Sequence, residues 1–205
     1  MFKKHALTSG PLLGRKFFPR PSLDLRRPVV LLGWDRDETR SVAFQLAQFL
    51  GLVALDCDHV IRYATGRTVA ELVAEQGEAA YRRQERRVIE SALTSPRRCV
   101  LSVGDGALID SEVRSFVVEK AHLAALTRSL AECFEHLKAH PATPDRWHPL
   151  FSGPLTHESQ LRYFFKARHT AFDAAAETVD MHGTTPQAAA RELAARWTSR
   201  SRLAS

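Results

Sequence analysis

The chain has 205 residues, 44% of them hydrophobic and 25% charged, which suits one globular domain with a sizeable core plus a short appendage and argues against disorder throughout. No apolar run approaches the ~20 residues that cross a bilayer, so a membrane-integral class is excluded. The net charge of +6 is local: residues 1–28 carry Lys3, Lys4, Arg15, Lys16, Arg20, Arg26 and Arg27 against Asp24 alone, and the other 22 basic and 22 acidic residues cancel, leaving the globular part no electrostatic footprint for nucleic acid.

Residues 1–28 are poor in acids and punctuated by proline. They read as a basic extension open to three uses: a solvated disordered tail, an organellar transit peptide, or an anchor for an acidic partner or membrane surface. Cys57, Cys99 and Cys133 lack Cys-x-x-Cys spacing and sit in apolar segments, so buried free thiols and a reducing, cytoplasmic setting are expected. The nine histidines show no His-Glu-x-x-His or comparable spacing, and zinc is not expected.

From residue 29 strands and helices alternate. VVLLG (29–33) reads as a fully buried strand, and SVAFQLAQFLG (41–51) has apolar residues at helical spacing with a stop at Gly51. LVALDCD (52–58) is a second strand, followed by a helix near 58–64, a turn at Gly66 and a long helical region from Val69 to Leu93 broken at Gly77. RCVLSVGDG (98–106) is a third strand ending in a glycine-rich turn. A helix near 110–119, a strand over His122–Thr127 and a helix over Ser129–His140 come next. After a proline-rich polar stretch (141–158) the pattern predicts a helix near 159–175, the strand ETVDM (177–181) and a last helix over Pro186–Trp197. Five strands alternating with helices imply right-handed crossovers and an α/β fold, three layers with a five-stranded parallel sheet covered on both faces. The domain is expected at 29–198, with 199–205 a tail. In such a sheet ligands sit at the carboxyl ends of the strands, here GWDRDETR, DCD, GDG and the turn after ETVDM.

Laid without a gap from Gly33 to Asp58, the chain resembles the shikimate kinases, small P-loop kinases of aromatic amino-acid biosynthesis whose loop runs GxxGxGKST. The likeness continues through GRTVAELVAEQGEAAYRRQE (66–85) beside the family's F-R-x-x-E helix and VLSVGDGAL (100–108) beside its GGGA turn. WHPLFSG (147–153) then stands beside its RPLL lid, and YFFKARHTAF (163–172) beside its R-x-P-L-Y helix. The resemblance implies a P-loop kinase fold over essentially the whole domain. On the substrate side it implies Asp58 as acceptor for sugar-acid hydroxyls, Arg82 and Arg168 as the guanidiniums that hold the acid's carboxylate, Gly104 and Gly106 as the outer glycines of the substrate turn, and Asp56 as the acid of the magnesium shell. Each has a plainer reading: Arg82 as one more arginine on the solvated face RRQERR, Arg168 paired with an acid such as Asp173, Asp56 and Asp58 as turn formers. Together, at these offsets, they favour an inherited pocket.

The nucleotide side departs from the family. Gly33 is kept, but Glu38 replaces the second required glycine, Thr39 the lysine and Arg40 the magnesium-binding hydroxyl, while Arg36 and Asp37 replace small residues and Ser41 offers a hydroxyl one place late. Asp35, Asp37 and Glu38 are expected to face a triphosphate, where like charges oppose binding, and Arg36 and Arg40 offset this only in part. In the lid, His148 replaces the arginine that reaches over the phosphates, with Arg146 two residues away. Asp105 replaces the middle glycine of the substrate turn, placing a carboxylate beside a pocket for an anionic substrate. The leading expectation is a pseudokinase without cofactor, acting through a small hydroxylated acid ligand or through a protein partner on its surface or basic tail. The first alternative is an active shikimate kinase using ATP and magnesium through Asp56, Arg40 and Arg146; the second is a scaffold without ligand.

Overall fold

All five residues of VVLLG are buried, and the reason is their place in the sheet. The structure, a computed structural model, describes residues 27–139 and 156–203. Its elements run β1 (Val29–Gly33), α1 (Arg36–Leu50), β2 (Val53–Asp56), α2 (Cys57–Thr65), α3 (Val69–Gln76), α4 (Glu78–Thr94), β3 (Cys99–Val103) and α5 (Ser111–Lys120). There follow β4 (His122–Thr127), α6 (Leu130–Ala139), α7 (Glu158–Asp173), β5 (Glu177–Asp180) and α8 (Pro186–Leu203). The strands form one all-parallel sheet in the order β2-β3-β1-β4-β5. As the central strand, β1 sends Val29 and Leu31 to one face and Val30 and Leu32 to the other, and helices cover both.

On the first face Leu46 of α1 and Leu193 of α8 pack under Val29 and Leu31. On the second, Ile61 of α2, Leu72 of α3, Ile89 of α4, Val117 of α5 and Phe172 of α7 close over Val30 and Leu32. Each such side chain contributes about 1.5–3 kcal/mol on burial. A smaller cluster of Cys133, Leu137 and Leu161 joins α6 to α7. The expected α/β fold with a five-stranded parallel sheet is thus observed. Cys57, Cys99 and Cys133 are free and buried, and no helix among the described residues is long and apolar enough to cross a membrane. Segments 1–26 and 140–155, with Arg146 and His148, lie outside the described residues.

One helix start and one strand end differ from the sequence expectation, α1 and β2. α1 begins at Arg36 rather than near Ser41, because Asp35 caps it: its carboxylate accepts from the Glu38 amide at 2.6 Å, and Asp37 and Glu38 suit the positive end of the helix dipole. α2 begins at Cys57, capped by Asp56 accepting from the His59 amide at 2.9 Å, so Asp58 stands in a first helical turn and not at a strand end. At the other terminus α8 runs on to Leu203, past the expected tail boundary. β1 and β3 are neighbours whose chains leave toward opposite faces, β1 into α1 and β3 toward α5. That divergence opens a crevice at their carboxyl ends.

Candidate functional site at the carboxyl edge

Arg36 leaves the first turn of α1 and crosses to the β2–α2 side. Its guanidinium pairs with the Asp58 carboxylate and donates to the Tyr81 hydroxyl at 2.8 Å. It also fills the space before Gly104, where a Cβ would meet Arg36 Nη2 at 2.7 Å. Burial works against that charge, but Tyr81, Asp58, Glu85 and Asp105 outweigh it and raise the Arg36 pKa.

Tyr81 and Glu85 stand one helical turn apart on the buried face of α4. The Tyr81 oxygen lies 2.8 Å from Asp58 Oδ1 and 3.0 Å from Glu85 Oε1. One hydroxyl proton therefore serves two carboxylates. Burial pushes both the Asp58 and Glu85 carboxyls up, against the pull of Arg36 and Arg82, the direction that lets one of them carry a second proton. Arg82 closes the network, with Nη1 on Glu85 at 2.7 Å and Nη2 on Glu78 at 3.0 Å, its guanidinium over the Tyr81 ring and against Gly106.

Between the two glycines, Asp105 is 1% exposed. It forms an ion pair at 2.7 Å with Arg168 of α7, whose side chain is equally shut from water. The Arg168 guanidinium also lies over the Phe164 ring.

At the β1–α1 junction Asp35, Asp37 and Glu38 each have a basic partner. Asp35 meets His136 of α6 at 2.8 Å, Asp37 meets Arg40 at 2.7 Å, and Glu38 meets Arg128 beyond β4. The start of α1 turns Asp35 onto α6 and Glu38 onto Arg128, which corrects the expectation that these two face a triphosphate, while Asp37 pairs with Arg40 within α1 and stays at the surface. Arg36, expected to offset them, is spent on Asp58 instead. Thr39, which the resemblance sets in the lysine position, is buried; its amide and its hydroxyl both donate to the Asp35 carbonyl, at 2.9 and 2.6 Å. Gly33 is held to glycine by packing, since a Cβ there would collide with the Thr39 hydroxyl and approach Leu126 to 3.3 Å. Trp34 stacks on Phe165 (centroids 3.8 Å, planes 4° apart) and on Phe172 (4.5 Å, 9°), tying the β1–α1 junction to α7.

A family model described as shikimate kinase matches residues 40–198. The chain belongs to the shikimate kinase family. A shikimate kinase of Cereibacter sphaeroides is 33% identical over 169 residues, 82% of this chain and 81% of that protein. One of Caulobacter vibrioides is 41% identical over 95 residues, and there the matched stretch spans about half of the relative, 47%. Among solved structures, the shikimate kinase of Acinetobacter baumannii in complex with shikimate superposes with a TM-score of 0.66 at 26% identity, covering 83% of this chain and 90% of that one. The Aquifex aeolicus shikimate kinase gives 0.68 at 19% identity over 84% and 98%, which speaks for the fold alone.

Of the residues the family resemblance singles out, Asp58, Arg82, Gly104, Gly106 and Arg168 converge on the crevice. Asp56 stands at its edge with one carboxylate oxygen on the His59 amide and the other accepting from the Ser102 hydroxyl at 2.7 Å. Ser41 lies further along α1, and Arg40 pairs with Asp37 at the surface. Two plainer readings are corrected. Arg82 does not stand on a solvated face, and Arg168 pairs with Asp105, while Asp173 meets His169 at 2.6 Å. The capping role of Asp56 is the plain reading realised. Sequence reasoning missed Tyr81, Glu85, Arg128 and His136; the first two carried a signal in their spacing within YRRQE, the others none.

Proposed function

We propose that this member of the shikimate kinase family is a pseudokinase, which does not transfer phosphate from ATP and acts by binding a small hydroxylated acid or through a protein surface. The observation that carries the reading is the β1–α1 junction. An amide cradle for phosphate needs glycine-type backbone, and among the described residues positive φ occurs only at Gly51, Gly66, Gly77 and Gly183. The head of α1, where a phosphate would be drawn, is already served by the Asp35 carboxylate on the Glu38 amide. A phosphate brought within 4 Å of that carboxylate meets a repulsion of roughly 4 kcal/mol at an effective dielectric of 20, and the neighbouring arginines Arg40 and Arg128 are engaged with Asp37 and Glu38. A triphosphate with magnesium, held in the family's manner, does not fit these residues.

The crevice between β1 and β3 supports the second half of the reading. Asp58, Arg82 and Arg168, the residues the resemblance implies for an acid ligand, lie at this edge of the sheet, yet each meets a partner within the chain. A ligand here must displace Arg36 or Asp105, so its affinity carries that cost.

Calorimetry of the full chain with ATP and magnesium tests the proposal: no binding is expected at millimolar nucleotide, and micromolar affinity overturns it. A thermal-shift series with shikimate separates a ligand-binding protein from a scaffold, since a ligand at a hundred times its dissociation constant adds about 2.7 kcal/mol.

A second reading, an active shikimate kinase with an atypical loop, is favoured by the 33% identity over 169 residues to a relative that bears that name and by the exposure of Arg40 (57%) at the surface. In it ATP and magnesium fall to Arg40, Arg146 and Asp56. Turnover of shikimate with ATP that disappears in Asp56→Ala would establish it.

A further inference from the structure

The Arg36 guanidinium stands where the crevice demands a cation. Tyr81 and Glu85 beside it are 0% and 1% exposed. The space before Gly104 that Arg36 Nη2 fills is bordered by Glu85 Oε1 as well, 3.2 Å from where a Cβ would stand. Without Arg36, the acids Asp58 and Glu85 are left against Arg82, which Glu78 also claims. The Asp105–Arg168 pair adds no net charge. The hydrogen bonds match less well than the charges. Asp58 Oδ1 and Glu85 Oε1 compete for the single proton of the Tyr81 hydroxyl, while Arg36 Nε is buried with no acceptor among the described residues. A donor without an acceptor, beside two carboxylate oxygens that share one proton, marks a side chain of the right charge and the wrong shape.

We propose, resting on the ligand-binding half of the proposed function, that the crevice takes a small hydroxylated acid that also carries an amine, its ammonium standing in the place of the Arg36 guanidinium between Asp58, Tyr81 and Glu85. An ammonium is compact and brings three donors, one for each of Asp58, Glu85 and the Tyr81 oxygen. The planar guanidinium of Arg36, tied to the first turn of α1, reaches Asp58 and Tyr81. Charge selects this class over a plain acid. A buried carboxylate whose cation is removed is strongly destabilising, so a ligand that displaces Arg36 without replacing its charge loses more than it gains. The donor set selects an organic cation over a metal, because among the described residues no three His, Cys, Asp or Glu side chains converge as metal ligands. A cavity of about 100 Å³, lined in part by Arg36, Asp56, Asp58, His59, Thr68 and Val69, opens on the same groups and leads the amine to Asp58.

D-glucosaminate and D-gluconate, which differ by an amine in place of one hydroxyl, are the probes, and the comparison needs no substitution in the chain. Calorimetry on the full chain is expected to give one site for glucosaminate and at least about tenfold weaker binding for gluconate. Arg36→Ala, which removes the competing guanidinium, is expected to tighten glucosaminate about tenfold. Asp58→Asn is expected to bring glucosaminate level with gluconate, a split that a misfolded chain would not show. Magnesium chloride is expected to leave the glucosaminate affinity unchanged. Failure of glucosaminate to bind, gluconate equal to or above it, indifference to Arg36→Ala, or competition by magnesium would each overturn the inference. Binding of gluconate or shikimate in that event leaves the proposed function standing, whereas silence of all three acids removes its small-ligand half too.

Discussion

The β1–α1 junction and the Gly104–Gly106 turn lie side by side at the carboxyl edge, and both carry charge where relatives are expected to have glycine. At the junction the new charges are paired in places water still reaches: Asp37 and Arg40 are 39% and 57% exposed, Glu38 and Arg128 14% and 17%. At the turn Asp105 and Arg168 are 2% and 4% exposed. A charge that loses its partner near water is rescued by solvent; one that loses it in the interior is not. The junction is therefore tolerant of further change, residue by residue, whereas the two members of the buried pair depend on each other.

The sharpest way to break that contrast is Arg168→Ala, which removes the ion-pair partner of buried Asp105. A loss of about 3–5 kcal/mol is expected in urea denaturation, most of it recovered in the double variant Arg168→Met with Asp105→Ala. A single-variant loss below 1 kcal/mol would mean the turn behaves like surface. Tyr81→Phe comes next: it removes the hydroxyl shared by Asp58, Glu85 and Arg36, and leaving such groups short of a partner is expected to cost about 1–3 kcal/mol in the same measurement. On the tolerant side, Asp35→Ala is expected to cost about 1 kcal/mol and Asp35→Ser to retain most of the stability, because serine also caps. Arg40→Ala is expected to shift the urea midpoint by less than the equivalent of about 0.5 kcal/mol, its pair with Asp37 being exposed.

The smallest effect concerns Glu132 in the first turn of α6. The Ser129 hydroxyl and amide donate to it, with His182 adding a further contact, and together they pull its pKa down to about 2. A carboxyl lowered in the folded state adds stability above its unfolded value near 4.5, and that contribution fades as pH falls toward 2. Glu132→Gln is expected to flatten the stability profile in that window and leave pH 7 behaviour close to that of the parent apart from the lost cap. An unchanged acid limb would remove Glu132 from the account.

Much of this was legible along the chain. The buried run VVLLG, the stop at Gly51, the break at Gly77 and the strand–helix alternation follow from local periodicity and backbone chemistry, and the observed elements match them within a few residues. The convergence of Asp58, Arg82 and Arg168 was legible only through the family resemblance. What went unread at the junction was partly local: Asp35 with Glu38 three residues on is a capping pattern, and weight given to the first apolar residue placed the helix start too late.

The pairing of charges was not legible at all. Arg36 and Asp58 are 22 residues apart, Glu38 and Arg128 are 90, and Asp35 and His136 are 101; which acid meets which basic side chain depends on where the parallel crossovers deliver each strand end. Composition and periodicity by themselves determined that this chain folds as a helix-covered parallel sheet, because burial of alternating apolar faces is a local property of each element. Only the tertiary structure decided that Arg36 and Asp105 fill the crevice their neighbours frame, because electrostatic partnership is a property of distance in space.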